Sequence, residues 1–167
     1  MRDYLTFALV ITSVSLFGQT KNIKDQAELT AKALMHDDYE TLLKFTYPKV
    51  MEMVGGPERM ISLIRNGKVE MKKRGIGFES VTIGEPSKVV IGGKEMLCLI
   101  PQTIFMKAPD GKIRKDSYLL GVSQDNGNHW FFIDTVNLTM ENVRLVVPDY
   151  NSDLKIPAKK QPEFIAD

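Results

Sequence analysis

Between Asn22 and Asp38 the apolar residues fall three and four apart. Ile23, Ala27, Ala31 and Leu34 form one stripe, with Lys24, Glu28 and Lys32 on the other side. That spacing predicts an amphipathic helix that buries one face. The pattern breaks at His36-Asp37-Asp38 and resumes in YETLLKFTYPKVMEMV. Asp37, with Glu40 three residues later, reads as a capping-box-like start whose carboxylate accepts orphan backbone N–H bonds. Pro48 interrupts this second helix, and Gly55-Gly56 ends it. Pro57 suits the first position of a third helix, where a missing N–H costs nothing. Met60, Ile61 and Ile64 mark that helix's apolar side, and Gly75 stops it.

From Ile76 the period changes to two. FESVTIGE is a first strand, and SKVVIGGKEMLCLIPQTIFMKA holds two more around a Gly92-Gly93 turn. Such a glycine pair supplies the positive φ that a tight hairpin requires. Pro109-Asp110-Gly111 turns the chain into KIRKDSYLLGVSQ, and HWFFIDTV is the last strand. Three helices followed by a meander of about five antiparallel strands make an α+β domain, its N-terminal helices packed on a curved sheet. Pro101 inside a long strand predicts a bulge or bend. Past Val147 the chain is polar and proline-bearing, which predicts a flexible tail over residues 148–167.

The first nineteen residues, MRDYLTFALVITSVSLFGQ, differ from the rest. Leu5 to Phe17 carries no charge and follows Arg2. A bilayer span takes about 20 apolar residues, so the run has the length of a signal-peptide core, with cleavage after Gly18. The organisation predicted is therefore a leader over 1–18, one domain over 19–147 and the tail, in an exported, periplasmic or secreted protein. An uncleaved anchor is the alternative, because Asp3 offsets Arg2.

Composition narrows the function classes. With 43% hydrophobic residues, the chain can build a real core. Its 22 basic and 21 acidic residues give a net charge of +1, which argues against nucleic acid as a partner. The one basic run, KVEMKKR, contains Glu70 and reads as a solvated helix end. Cys98 is the sole cysteine and sits in the apolar stretch MLCLI, so it is expected to be a buried, inert thiol. No metal or nucleotide motif occurs: there is no G-x-x-x-x-G-K-[ST], no H-E-x-x-H and no paired cysteine. No cofactor is expected.

Ser123 to Trp130, SQDNGNHW, matches the S-x-D-x-G-x-x-W signature and resembles the Asp-box of sialidases and related propellers. A propeller needs several blades, and this chain has one copy. Each residue of the motif has a turn-forming task instead. Asn126-Gly127 tolerates left-handed φ, Asp125 accepts backbone bonds, and Trp130 opens the returning strand. The stretch reads as a hairpin.

The order of elements and two segments carry a second resemblance. TAKALMHDDYETLLKFTYPKV and the final HWFFID are similar to the front and the last strand of the NTF2-like (cystatin-like α+β cone) superfamily, over about Asn22 to Val136. The resemblance implies a curved sheet around a cone covered by helices. Some members place Asp, His or Tyr in that cone for acid–base work, and many others are binding or accessory domains.

His36 and His129 lie at a helix corner and in the hairpin, so both are expected at the surface. Alternation puts Trp130, Phe132 and Asp134 on one face of the last strand, with His129, Phe131 and Ile133 on the other. Gln102 and Ser117 are expected to project into the cone, with Tyr118 facing away from Ser117. Three readings stay open. The first is a binding or accessory domain whose cavity, lined by Trp130, Phe132, Met96, Ile100 and Gln102, takes a small apolar ligand or a side chain of an envelope protein. The second is a cofactor-free isomerase, dehydratase or hydrolase using Asp134 with Tyr118. There, Asp134 would have to be desolvated; at the rim it would accept backbone bonds instead. The third is a domain that dimerises through its open sheet face. Asn137-Leu138-Thr139 is a glycosylation sequon, meaningful only in a host that modifies exported proteins so.

Overall fold

The structure, a computed structural model, describes residues 11–166. Much of the apolar leader run therefore lies outside the described residues. Among the described residues, no helix is long and apolar enough to cross a membrane. Helix α1 spans Ile11–Met35 and buries Ile23 and Ala27, the stripe that the spacing predicts. At the corner after α1, Asp37 adopts a φ of 59°. The cap of α2 (Tyr39–Lys44) is consequently Asp38, which accepts the Thr41 N–H at 3.1 Å, and not Asp37. Asp37 turns elsewhere, to Lys68 and to the Tyr39 hydroxyl.

The expected second helix is two helices, because Pro48 disfavours helical backbone at Tyr47. Tyr47 is extended, and α3 (Pro48–Met53) starts afresh behind it. The interrupted stretch is put to use: Phe45 O accepts the Phe132 N–H at 2.7 Å, and Thr46 bridges to Phe132. Helix α4 (Pro57–Lys73) begins at its proline, as predicted.

Two long antiparallel strands, β3 (Glu95–Ala108) and β4 (Gly111–Ser123), form the middle of the sheet. On the free side of β3 lie β1 (Gly77–Ile83) and β2 (Val90–Gly92), end to end. Along β4 lie β5 (Phe131–Asp134) and β6 (Glu163–Ala166). All pairings between these strands are antiparallel, and helices packed on the sheet make the α+β arrangement that the element order predicts. Pro101 causes no bulge; β3 is continuous through it. Its carbonyl accepts Gly84 N–H beyond the end of β1, and a residue's N–H and C=O point to the same side in such a strand. The missing donor therefore faces the side where β1 has ended. The bulge lies in β1, between Phe78 and Ser80.

Each face of the sheet is covered. Ile83, Cys98, Ile100, Leu119, Trp130 and Phe132 pack with Ile23 and Ala27 of α1. On the other face, Leu97, Leu99, Leu120, Val122 and Ile133 meet Val143, Val146, Val147, Tyr150 and Leu154. Helix α5 (Val143–Val146) and the segment behind it supply that cover. Two expectations are corrected here. Residues beyond Val147 are not a loose tail: Tyr150 donates its hydroxyl to Leu154 O at 2.5 Å, and Glu163–Ala166 adds a sixth strand. The face proposed for dimerisation is occupied over this region by the chain's own C-terminal segment. The Gly92-Gly93 turn has a second purpose, because a Cβ on Gly93 would collide with Asp149.

The SQDNGNHW stretch is a hairpin turn. Asn126 and Gly127 take φ of 60° and 87°. Asp125 Oδ1 accepts the Asn128 and His129 N–H groups, and Ser123 Oγ accepts that of Gly127. The N–H groups of His129, first, and Asn128, with the Ser123 hydroxyl that also donates to Oδ1, hold the Asp125 carboxyl below the usual carboxylate range. The turn docks on α1, where Asn22 donates to Gly127 O and Gln26 Oε1 accepts the Trp130 N–H.

Candidate functional site

A cavity of about 280 Å³ lies between the helices and the sheet. Helix α1 contributes Thr30, Ala31 and Leu34; α2 and α3 contribute Leu42 and Val50; α4 closes one side with Met60 and Ile64. The sheet supplies Val81, Gln102, Ile104, Leu119, Phe132 and Asp134. Register explains the set. Val81 faces Ile104, Ile83 faces Gln102, Gln102 faces Ser117, and Leu119 faces Asp134, so these side chains share one face.

The walls are apolar with one polar end. Gln102 is 7% exposed, and its Nε2 donates to Ser117 Oγ at 3.0 Å and towards Asp134 Oδ2 at 3.4 Å. Its Oε1 makes no hydrogen bond among the described residues, yet no buried side-chain oxygen is left sealed without a partner. The free oxygen therefore opens onto the cavity. Thr30 and Thr46 spend their hydroxyl hydrogens on backbone carbonyls four residues back, Gln26 O in α1 and Leu42 O in α2. The polar end thus presents acceptors. Asp134 sits at the rim, exposed, with Oδ1 accepting the Val136 N–H at 2.8 Å as the cap of a short 3-10 turn, Thr135–Asn137. Among the described residues it is the only ionisable one in the lining.

Of the residues expected to line the cone, Phe132 and Gln102 do so. Trp130, Ile100 and Met96 do not. Trp130 and Ile100 are fully buried, with Met96 packed against the same cluster, in the closed end of the fold beneath Ile23 and Ala27. They share the correct face, but α1 fills the space there. Tyr118 packs with the opposite cluster, alongside Leu120's face of the sheet. An Asp134–Tyr118 pair is therefore not assembled, because the sheet separates the two side chains.

The histidines divide. His36 is exposed, but His129 is half-buried. Its ring stacks on Phe45 at 5.1 Å and meets the edge of Phe131 at 4.7 Å, with Nε2 3.2 Å from Lys44 O. Cys98 is buried, and burial pushes its thiol up to about 12, so no thiolate is available. Sequence reasoning missed the helical wall of the cavity: Thr30, Thr46, Met60 and Ile64. The apolar stripes were visible in α1 and α4, but nothing in a single helix's period says which part of the stripe meets a wall and which meets empty space.

No family model matches the chain, and no curated protein matches it. Among solved structures it is similar to one described as an M. tuberculosis LEH-like epoxide hydrolase, at 24% identity over 78% of this chain and 98% of that chain, with a TM-score of 0.33.

Proposed function

We propose that the protein binds a small, largely apolar molecule that carries a hydrogen-bond donor. The observation behind this is the free Oε1 of Gln102, an acceptor on a largely buried residue, open to an apolar cavity of about 280 Å³. Small-molecule sites are concave and apolar, with a few placed polar groups that fix orientation. A ligand lacking a donor would strip water from Gln102 and give nothing back, at a cost of about 1–3 kcal/mol. One with a hydroxyl or amine restores the bond. Burial of the apolar part then supplies the affinity, about 0.8 kcal/mol per methylene.

Calorimetry with 1-hexanol tests the reading. The wild-type chain binds it, and Ala31→Phe, which fills the cavity from α1, does not. Equal binding by both proteins contradicts the assignment.

A second reading has one observation in its favour. Both oxygens of Asp134 are held, by Val136 N–H and by the Gln102 amide, at the border of the cavity. A carboxylate so oriented could act as a general base in a hydrolase or isomerase. Turnover of a bound aliphatic ester, abolished in Asp134→Asn, would move this reading ahead.

A further inference from the structure

The cavity does not end at Asp134. An apolar groove of about 410 Å³ runs on from it between α3 and α5, and Val50, Ile133 and Asp134 line both spaces. Beyond them the groove is walled by Met53, Leu138 and Leu145. Met53 is 56% exposed and Leu145 71% exposed, unusually open for large apolar residues that line a groove. Resting on the ligand-binding reading above, we propose that cavity and groove together hold one amine with an apolar arm on each side of its nitrogen, the nitrogen at Asp134.

Three features carry this. First, among the described residues Asp134 is the only ionisable one lining either space, so the charge expected of an occupant at the junction is positive. Second, the junction offers acceptors: the Asp134 carboxylate and, on the cavity side, the unpaired Gln102 Oε1. An ammonium N–H donates to both, whereas a carboxylic acid would be repelled. Third, the apolar walls extend in two directions from the junction, so a head group at one end of a chain leaves one space empty. A secondary amine fills both.

The charge adds little to affinity, because Asp134 is exposed and an exposed ion pair tightens binding at most about fivefold. Its role is to select the ligand. The second arm adds more, each fully buried methylene tightening binding about fourfold.

Calorimetry on the full chain with hexylamine, dihexylamine and 1-hexanol separates the outcomes. The proposal expects dihexylamine to bind at least tenfold more tightly than hexylamine, with Leu145→Asp erasing that gain and leaving hexylamine unchanged. Asp134→Asn should weaken both amines about two- to fivefold more than it weakens 1-hexanol. If hexylamine and 1-hexanol bind but dihexylamine is no tighter, the two-armed ligand is wrong and the cavity reading survives. If no probe binds, both fail. If Leu145→Asp instead converts a dimer to a monomer in ultracentrifugation and spares the dihexylamine gain, the groove is a self-association face and the proposal is overturned.

Discussion

Gln102 Nε2 stands 3.0 Å from Ser117 Oγ and 3.4 Å from Asp134 Oδ2, so one amide links β3, β4 and β5 at the polar end of the cavity. The glutamine is neutral beside the carboxylate and can donate to it. Gln102→Glu removes the donor and sets a second negative charge against Asp134 in a largely buried position. Two carboxylates so close cannot both ionise freely, and one titrates upward. A carboxyl raised in the folded state contributes stability below its unfolded value that is lost as pH rises through the folded value. The variant should therefore be less stable at pH 7 than at pH 4 relative to wild type, by about 1–3 kcal/mol. Paired urea melts at the two pH values check this.

The hairpin gives a prediction of a different kind. Gly127 is buried at a φ of 87°, with its carbonyl accepting both the Trp130 indole N–H and the Asn22 amide. Gly127→Val forces a β-branched residue into that conformation, at about 1–3 kcal/mol. The melting temperature should fall, while 1-hexanol affinity at a temperature where both proteins are folded stays the same. The turn is remote from the cavity lining, so a selective loss of binding would show that its role was misread.

Helix α4 forms one wall of the cavity. It contains no buried residue, and glycines at positive φ flank it on both sides, Gly55-Gly56 and Gly75. Lys68 is its visible tether, donating to Leu34 O and, at 2.5 Å, to Asp37 Oδ1. Lys68→Ala should raise hydrogen exchange across residues 57–73 and leave β3 and β4 protected. Uniform acceleration over the whole chain would mean instead that α4 is integral to global stability.

Much of this arrangement was legible from periodicity, and its gaps have physical causes. Ile23 and Ala27 announced the buried side of α1, and the alternation through Phe132 and Asp134 fixed which side chains share a face. Depth along a strand was not legible. Ile100 and Gln102 are two residues apart on one face of β3, yet the first is packed under α1 and the second borders a cavity. The C-terminal cover was hidden for another reason. Tyr150 and Leu154 are isolated among polar residues and prolines, with no period to read, and become buried only because a sheet face awaits them. The helix corner was misplaced by one residue because Asp37 takes up left-handed backbone, leaving the cap to Asp38.

Tyr150 makes that cover testable. Burial pushes its hydroxyl up to about 12 from an ordinary 10.0. A group raised in the folded state contributes stability fully present below its unfolded value and lost as pH climbs through the folded one. Tyr150→Phe should cost about 1 kcal/mol at neutral pH, from the lost bond to Leu154 O. The difference from wild type should hold steady up to about pH 10 and shrink between about pH 10 and 12. Denaturant melts across that range measure it; a difference that grows with pH would contradict the assignment.

The central claim is that the space beneath α4 is a binding site with its polar end at Gln102. Methyl NMR of the full chain during a 1-hexanol titration tests it most directly. The account predicts saturable shifts at Ile64, Ile104 and Leu119, together with a shift of the Gln102 side-chain amide. Shifts confined to Met53 and Leu145 on the surface, or no saturable shift at all, would contradict it.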